Sequence, residues 1–197
     1  FIVAGSSYSG VSGNKTASNF GMRDYWILKL DAAGNVEWEK NYGGNNIEIL
    51  SSVHVAEDGG FLLAGHSWSP VSGNKSEGVI TAPDYWIIKT DAAGNILWQN
   101  NIGGNSGDFM ADAKDTPDGG AIIVGQSSSG ITGDKNEWMP IGATSNSHDY
   151  WVLKLNNSGV IEKQNTIGGN DEDDPYYVES VDDGYMVMGH TISDMTG

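Results

Sequence analysis

The chain repeats itself. Asp24-Tyr25-Trp26 returns as Asp84-Tyr85-Trp86 and again as Asp149-Tyr150-Trp151, at spacings of 60 and 65 residues. The copies continue alike, as DYWILKLDAAGNVEW, DYWIIKTDAAGNILW and DYWVLKLNNSGVIEK, and each runs on to a glycine pair at Gly43-Gly44, Gly103-Gly104 or Gly168-Gly169. A second motif, FIVAG from Phe1, recurs as FLLAG from Phe61, AIIVG from Ala121 and YMVMG from Tyr185. Residues 1–197 therefore read as one array, with repeats starting near 1, 61 and 121 and a partial fourth copy over 185–197. In such an array each unit buries its apolar face only against its neighbours.

Each period holds four runs of strand character, turn residues between them, and no helical periodicity. In the second repeat strand a covers about Ile47–Ala56, and Glu57-Asp58-Gly59-Gly60 makes a hairpin turn. Strand b is Phe61–Ser67, strand c is Asp84–Thr90, and strand d is Asn95–Ile102. Alternation along strand c puts Tyr85 and Ile87 on one face and Trp86 and Ile88 on the other, so both faces of its sheet must be covered. Strand d is apolar on one face only, through Ile96 and Trp98, while strand a is small at Ser51, Ser52, Ala111 and Ala113. A small inner strand, buried middle strands and a half-wet outer strand describe a four-stranded antiparallel blade of a β-propeller, an all-β fold.

Composition narrows the function classes. Ten basic against 26 acidic side chains give a net charge of −16, which disfavours nucleic acid and anionic membrane surfaces as partners. No stretch approaches the roughly 20 apolar residues of a membrane helix, so membrane insertion is not expected. The absence of cysteine removes disulfides, thiolate metal sites and cysteine nucleophiles. The 28 glycines, about twice ordinary usage, fit many tight turns. Phe1 reads as a cut end, with any targeting signal outside the sequence.

The pattern DYWxxKLDxxGNxxWxxxxGG…DGGxxxxG resembles the β-propeller repeats of large secreted and surface proteins of bacteria, with a layout related to the SBBP-type repeat. That resemblance spans essentially the whole chain and implies a secreted or cell-surface location. It implies fold far more than activity, since such repeats serve scaffolds, adhesins and non-catalytic parts of enzymes. Two departures stand out. The loops between strands b and c read Ser12-Gly13-Asn14-Lys15, Ser72-Gly73-Asn74-Lys75 and Thr132-Gly133-Asp134-Lys135 in place of an Asp-Gly-Asp stretch, and Lys163 stands where the other copies have Trp38 and Trp98. Thirteen strands beginning and ending on a strand b do not close a ring of four-stranded blades. The expected partners are therefore further blades of a longer propeller of about six to eight, or other copies of the chain.

Strand parity sends the b–c and d–a connections to one end of the sheets and the short a–b and c–d turns to the other. The b–c loops hold 18, 18 and 23 residues, and their variability marks that end as the place for a binding site. Tyr8, Trp68 and Trp138 lie in these loops among Ser, Asn and Gly, a composition that suits stacking on a sugar. The plainer account makes them lids over the blade tops. Asp171-Glu172-Asp173-Asp174 offers hard oxygens for calcium, although the run lacks EF-hand spacing and reads equally as a solvated charge patch. No cofactor is required. Glu48, Asp108 and Asp173 recur four residues beyond the glycine pair and are expected to accept backbone N–H bonds.

The thrice-repeated residues read as architecture. Asp24, Asp84 and Asp149 are expected to bond loop amides, Trp26, Trp86 and Trp151 to pack between blades, and Lys29, Lys89 and Lys154 to snorkel or to pair with an acid. His54, His66, His148 and His190 lack metal-ligand spacing, and His66 and His190 are expected on the surface or satisfied. Gly65-His66-Ser67-Trp68-Ser69 is not a nucleophile elbow, because it lacks the second glycine. The sequence thus points to a non-catalytic extracellular scaffold or adhesion module binding glycan or a surface protein. The alternatives are the propeller portion of a polysaccharide-degrading enzyme and a self-assembling structural subunit.

Overall fold

The computed structural model describes residues 1–138 and 147–193, which form thirteen antiparallel strands in four sheets and no helix. The first sheet orders β1 (Ile2–Ser7), β2 (Asp24–Leu30) and β3 (Val36–Tyr42). The second holds β4 (Glu48–Val55), β5 (Phe61–Ser67), β6 (Asp84–Thr90) and β7 (Ile96–Ile102). The third repeats that order with β8 (Asp108–Asp115), β9 (Ala121–Ser127), β10 (Asp149–Leu155) and β11 (Ile161–Ile167). The last pairs β12 (Asp173–Val181) with β13 (Gly184–Thr191). Strands a to d of the sequence are these strands to within a residue or so. The described strands do not close into a barrel or ring.

Successive sheets pack face to face, as the apolar residues on both faces of strand c require. Tyr25, Ile27 and Tyr42 of the first sheet meet Phe61, Leu63, Trp86 and Ile88 of the second. The other face of the second sheet, with Leu62, Ala64, Tyr85 and Ile87, meets Ala121, Ile123, Trp151 and Leu153 of the third. Ile122 and Val124 then meet Val178 of the fourth. Tyr25 and Tyr85 reach across these interfaces to the next sheet's tryptophan, with ring centroids 4.9 Å (Trp86) and 5.3 Å (Trp151) apart. Trp86 and Trp151 are fully buried. Trp26 is only half-buried, on the face of the first sheet that no described sheet covers.

The strand b glycine makes this packing possible. A Cβ on Gly65 would overlap the Ile49 carbonyl oxygen and the Tyr25 hydroxyl, and one on Gly125 would meet the Phe109 carbonyl and the Tyr85 hydroxyl. Small strand a residues serve close approach as well. Ser51 Oγ donates to Met110 O at 2.8 Å, and Ser52 Oγ accepts from Ala113 N at 3.1 Å. At the short-turn end the repeated lysines find their acids. Lys89 pairs with Asp58 at 2.8 Å and Lys154 with Asp118 at 2.9 Å, the aspartates of the two Asp-Gly-Gly turns, whereas Lys29 pairs with Glu37 at 3.3 Å.

Candidate functional site

Register fixes which ends of the strands meet. Ser7 pairs with Asp24, Ser67 with both Glu48 and Asp84, and Tyr25 with Tyr42. The starts of strands a and c and the ends of b and d therefore share one end of each sheet. The long b–c loops and the glycine-pair connections emerge there.

A buried polar network recurs at this end. Gly44 N donates to Glu48 at 2.8 Å, Gly104 N to Asp108 at 2.9 Å and Gly169 N to Asp173 at 2.8 Å, so the recurring acid accepts the amide of the glycine pair. Asp24 accepts from Phe20 N at 2.6 Å, and Asp84 from Ile80 N at 2.5 Å. Asp149 has no acceptor contact among the described residues. The two acids of a junction crowd together, since a Cβ on Gly43 would meet both Asp24 Oδ1 and Glu48 Oε2, and one on Gly168 both Asp149 Oδ1 and Asp173 Oδ2. Burial pushes Asp24, Asp108 and Asp149 up to about 6, and a second junction acid adds to the rise in each case: Glu48 for Asp24, Asp84 for Asp108, Asp173 for Asp149.

Sequence reasoning missed the cation of this network. Lys15, Lys75 and Lys135, the last residues of the three Gly-Asn-Lys or Gly-Asp-Lys loop motifs, are buried beneath Trp26, Trp86 and Trp151, with Nζ 5.7, 5.5 and 5.5 Å from the ring centroids. Lys75 donates to Asn101 Oδ1 at 2.7 Å and to the Glu77 carbonyl. Burial lowers it to about 8 against the opposing pull of Glu48, Asp84 and Glu77. The neighbouring Asn74 and Asp134 accept from Gly43 N at 2.9 Å and Gly103 N at 3.1 Å, stapling each loop to the preceding sheet. The signal was the motif's recurrence beside a glycine turn. Being buried and copied at each junction, these groups hold sheets together and have no access to a substrate.

The residues that change between repeats lie on the open side of the same end. Tyr8 is 62% exposed and lies under the Arg23 guanidinium, whose Cζ is 5.2 Å from the ring centroid. Arg23 bridges to Ile47, whose carbonyl accepts from Trp68 N at 2.9 Å. The Trp68 ring is half-buried, edge-on to His66 at 5.3 Å and Phe109 at 6.3 Å. His66 is 8% exposed and its Nδ1 has no partner, so it is neither a surface histidine nor a satisfied one. Burial, then the Arg23 charge, lowers it to about 4 and keeps the ring neutral. Trp138 is 75% exposed.

The members of the acidic run make separate contacts. Asp173 is buried in the junction network, and Asp174 accepts from or pairs with His148 Nε2 at 2.9 Å. Asp171 accepts from Glu172 N at 3.0 Å. Among the described residues no three His, Asp or Glu side chains are grouped to hold a metal. No protein-family model matches the chain, and neither does any curated protein.

Proposed function

We propose that the chain is a non-catalytic β-propeller segment, secreted or held at the cell surface, that binds glycan through the long-loop end of its sheets. One observation carries this reading: the repeats agree in the groups that hold sheets together and differ at the open end, where the differing residues are Tyr8, Arg23, His66, Trp68 and Phe109. Rigid repeats with divergent aromatic and polar tips suit recognition better than catalysis, which needs one constellation of reactive groups. The four-strand order and face-to-face stacking support the propeller reading, and the repeat pattern supports the bacterial surface family. A glycan array tests the binding, with the wild-type chain beside a Trp68→Ala, Trp138→Ala double variant and with and without a chelator. The reading expects selective binding that the double variant loses. Equal binding by both proteins, or none by either, overturns it. Loss of binding on chelation would show that binding requires calcium.

A second reading, assembly with further sheets, is favoured by the two outer faces. Val3 of the first sheet is 49% exposed, whereas its counterpart Leu63 is buried. Met186 and Met188 of the last sheet are exposed, whereas Leu62 and Ala64 are buried. These faces match what the middle sheets bury, so either more blades or another copy would cover them.

A further inference from the structure

Arg23 is the only arginine in a chain of net charge −16. With 26 acidic side chains available, it is nonetheless half-buried without a carboxylate. Among the described residues nothing accepts from its guanidinium, and its Nε is buried without a partner. Its guanidinium lies over the face of Tyr8, Cζ 5.2 Å from the ring centroid. A partly desolvated guanidinium that lacks an acceptor is costly to the fold and gains most from an anion that arrives with two parallel oxygens.

The third repeat shows what this position takes. Arg23 and His148 each precede the strand c aspartate, and each gives its carbonyl to the amide that starts the next strand a, Glu48 N at 2.7 Å and Asp173 N at 2.8 Å. The backbone frames are therefore equivalent. In the third repeat the following residue is Asp174, which meets the His148 ring at 2.9 Å. In the first repeat that residue is Ile49, so Arg23 stands at the His148 position without the carboxylate that faces His148. Tyr8 lies under the guanidinium, and the Trp68 backbone is joined to Arg23 through Ile47, with the Trp68 ring against His66, whose Nδ1 is unpartnered.

Resting on the glycan-binding reading above, we infer that Arg23, Tyr8 and Trp68 form a site for a carboxylate-bearing sugar. The guanidinium takes the carboxylate in the place Asp174 fills in the third repeat, and the aromatic tips stack on the ring. Stacking distinguishes this guest from an acidic peptide, whose carboxylate would leave the rings unused.

The test is calorimetric titration of the full chain with a uronic-acid oligosaccharide, its neutral methyl ester, a sulfated oligomer of equal length and an acidic peptide. Wild type, Arg23→Gln and Tyr8→Ala are compared, each first checked for an unchanged melting temperature. The expected result is binding of the uronate alone, weakened about tenfold to a hundredfold by Arg23→Gln and by added salt. Methyl ester bound as well as uronate, with Arg23→Gln unchanged, overturns the inference and leaves the glycan reading standing. Equal binding of the sulfated oligomer overturns the assignment to carboxylate, and preference for the peptide overturns the sugar. Binding of none of these sugars overturns the inference, while the glycan reading stands or falls on the array.

Discussion

Single residues set the spacing of the sheets and the charge state of their junctions. Gly65 leaves room for the Tyr25 hydroxyl and the Ile49 carbonyl, so Gly65→Ala forces backbone apart and should cost about 1–3 kcal/mol in urea unfolding. Gly5, with open space around it, should accept alanine at far smaller cost. The junction acids make stability depend on pH. Asp24, Asp108 and Asp149 titrate at about 6 when folded against 3.8 unfolded, so their contribution is complete below 3.8 and is lost as pH rises through 6. His66 opposes them: at about 4 against 6.5, it contributes above 6.5 and loses that as pH falls through 4. Three groups outweigh one, so the urea midpoint should rise between pH 7.5 and pH 5, and more steeply in His66→Gln. A midpoint that falls over that range would contradict the buried-pair account.

The strand elements were legible in the sequence because alternation and turn chemistry are local. The placement of Tyr85 and Trp86 on opposite covered faces followed from period two alone. That the recurring acid accepts a backbone N–H was legible from its fixed offset, whereas the donor, the glycine-pair amide, was not. The buried lysines were not, because lysine in a polar loop reads as solvated, and only the fold brings Trp86 and Asn101 over Lys75. Phe109 and Arg23 were missed for a similar reason: Phe109 joins Trp68 only where separate repeats pack, and Arg23 reaches Tyr8 only once the loop between β1 and β2 folds back on itself. Removing one buried partner is the costly case, so Lys75→Met should destabilise by about 3 kcal/mol or more. Lys89→Met, whose partner Asp58 lies in solvent, should cost about 1 kcal/mol or less. Trp86→Ala should cost about 3–5 kcal/mol, and Trp26→Ala distinctly less because no sheet covers it.

At the scale of the molecule, four sheets stack through apolar faces and leave the first and last uncovered. If other copies cover them, sedimentation should show mass rising with concentration, and Val3→Lys should suppress it. The central claim is that the short-turn end is architecture while the divergent end recognises. Hydrogen–deuterium exchange of the full chain, with and without a glycan found on the array, tests this most directly. The account predicts added protection over residues 6–9, 22–24, 66–69 and 107–110, and none at the turns over 57–60 and 91–94. Protection at those turns, or spread evenly through all repeats, would contradict it.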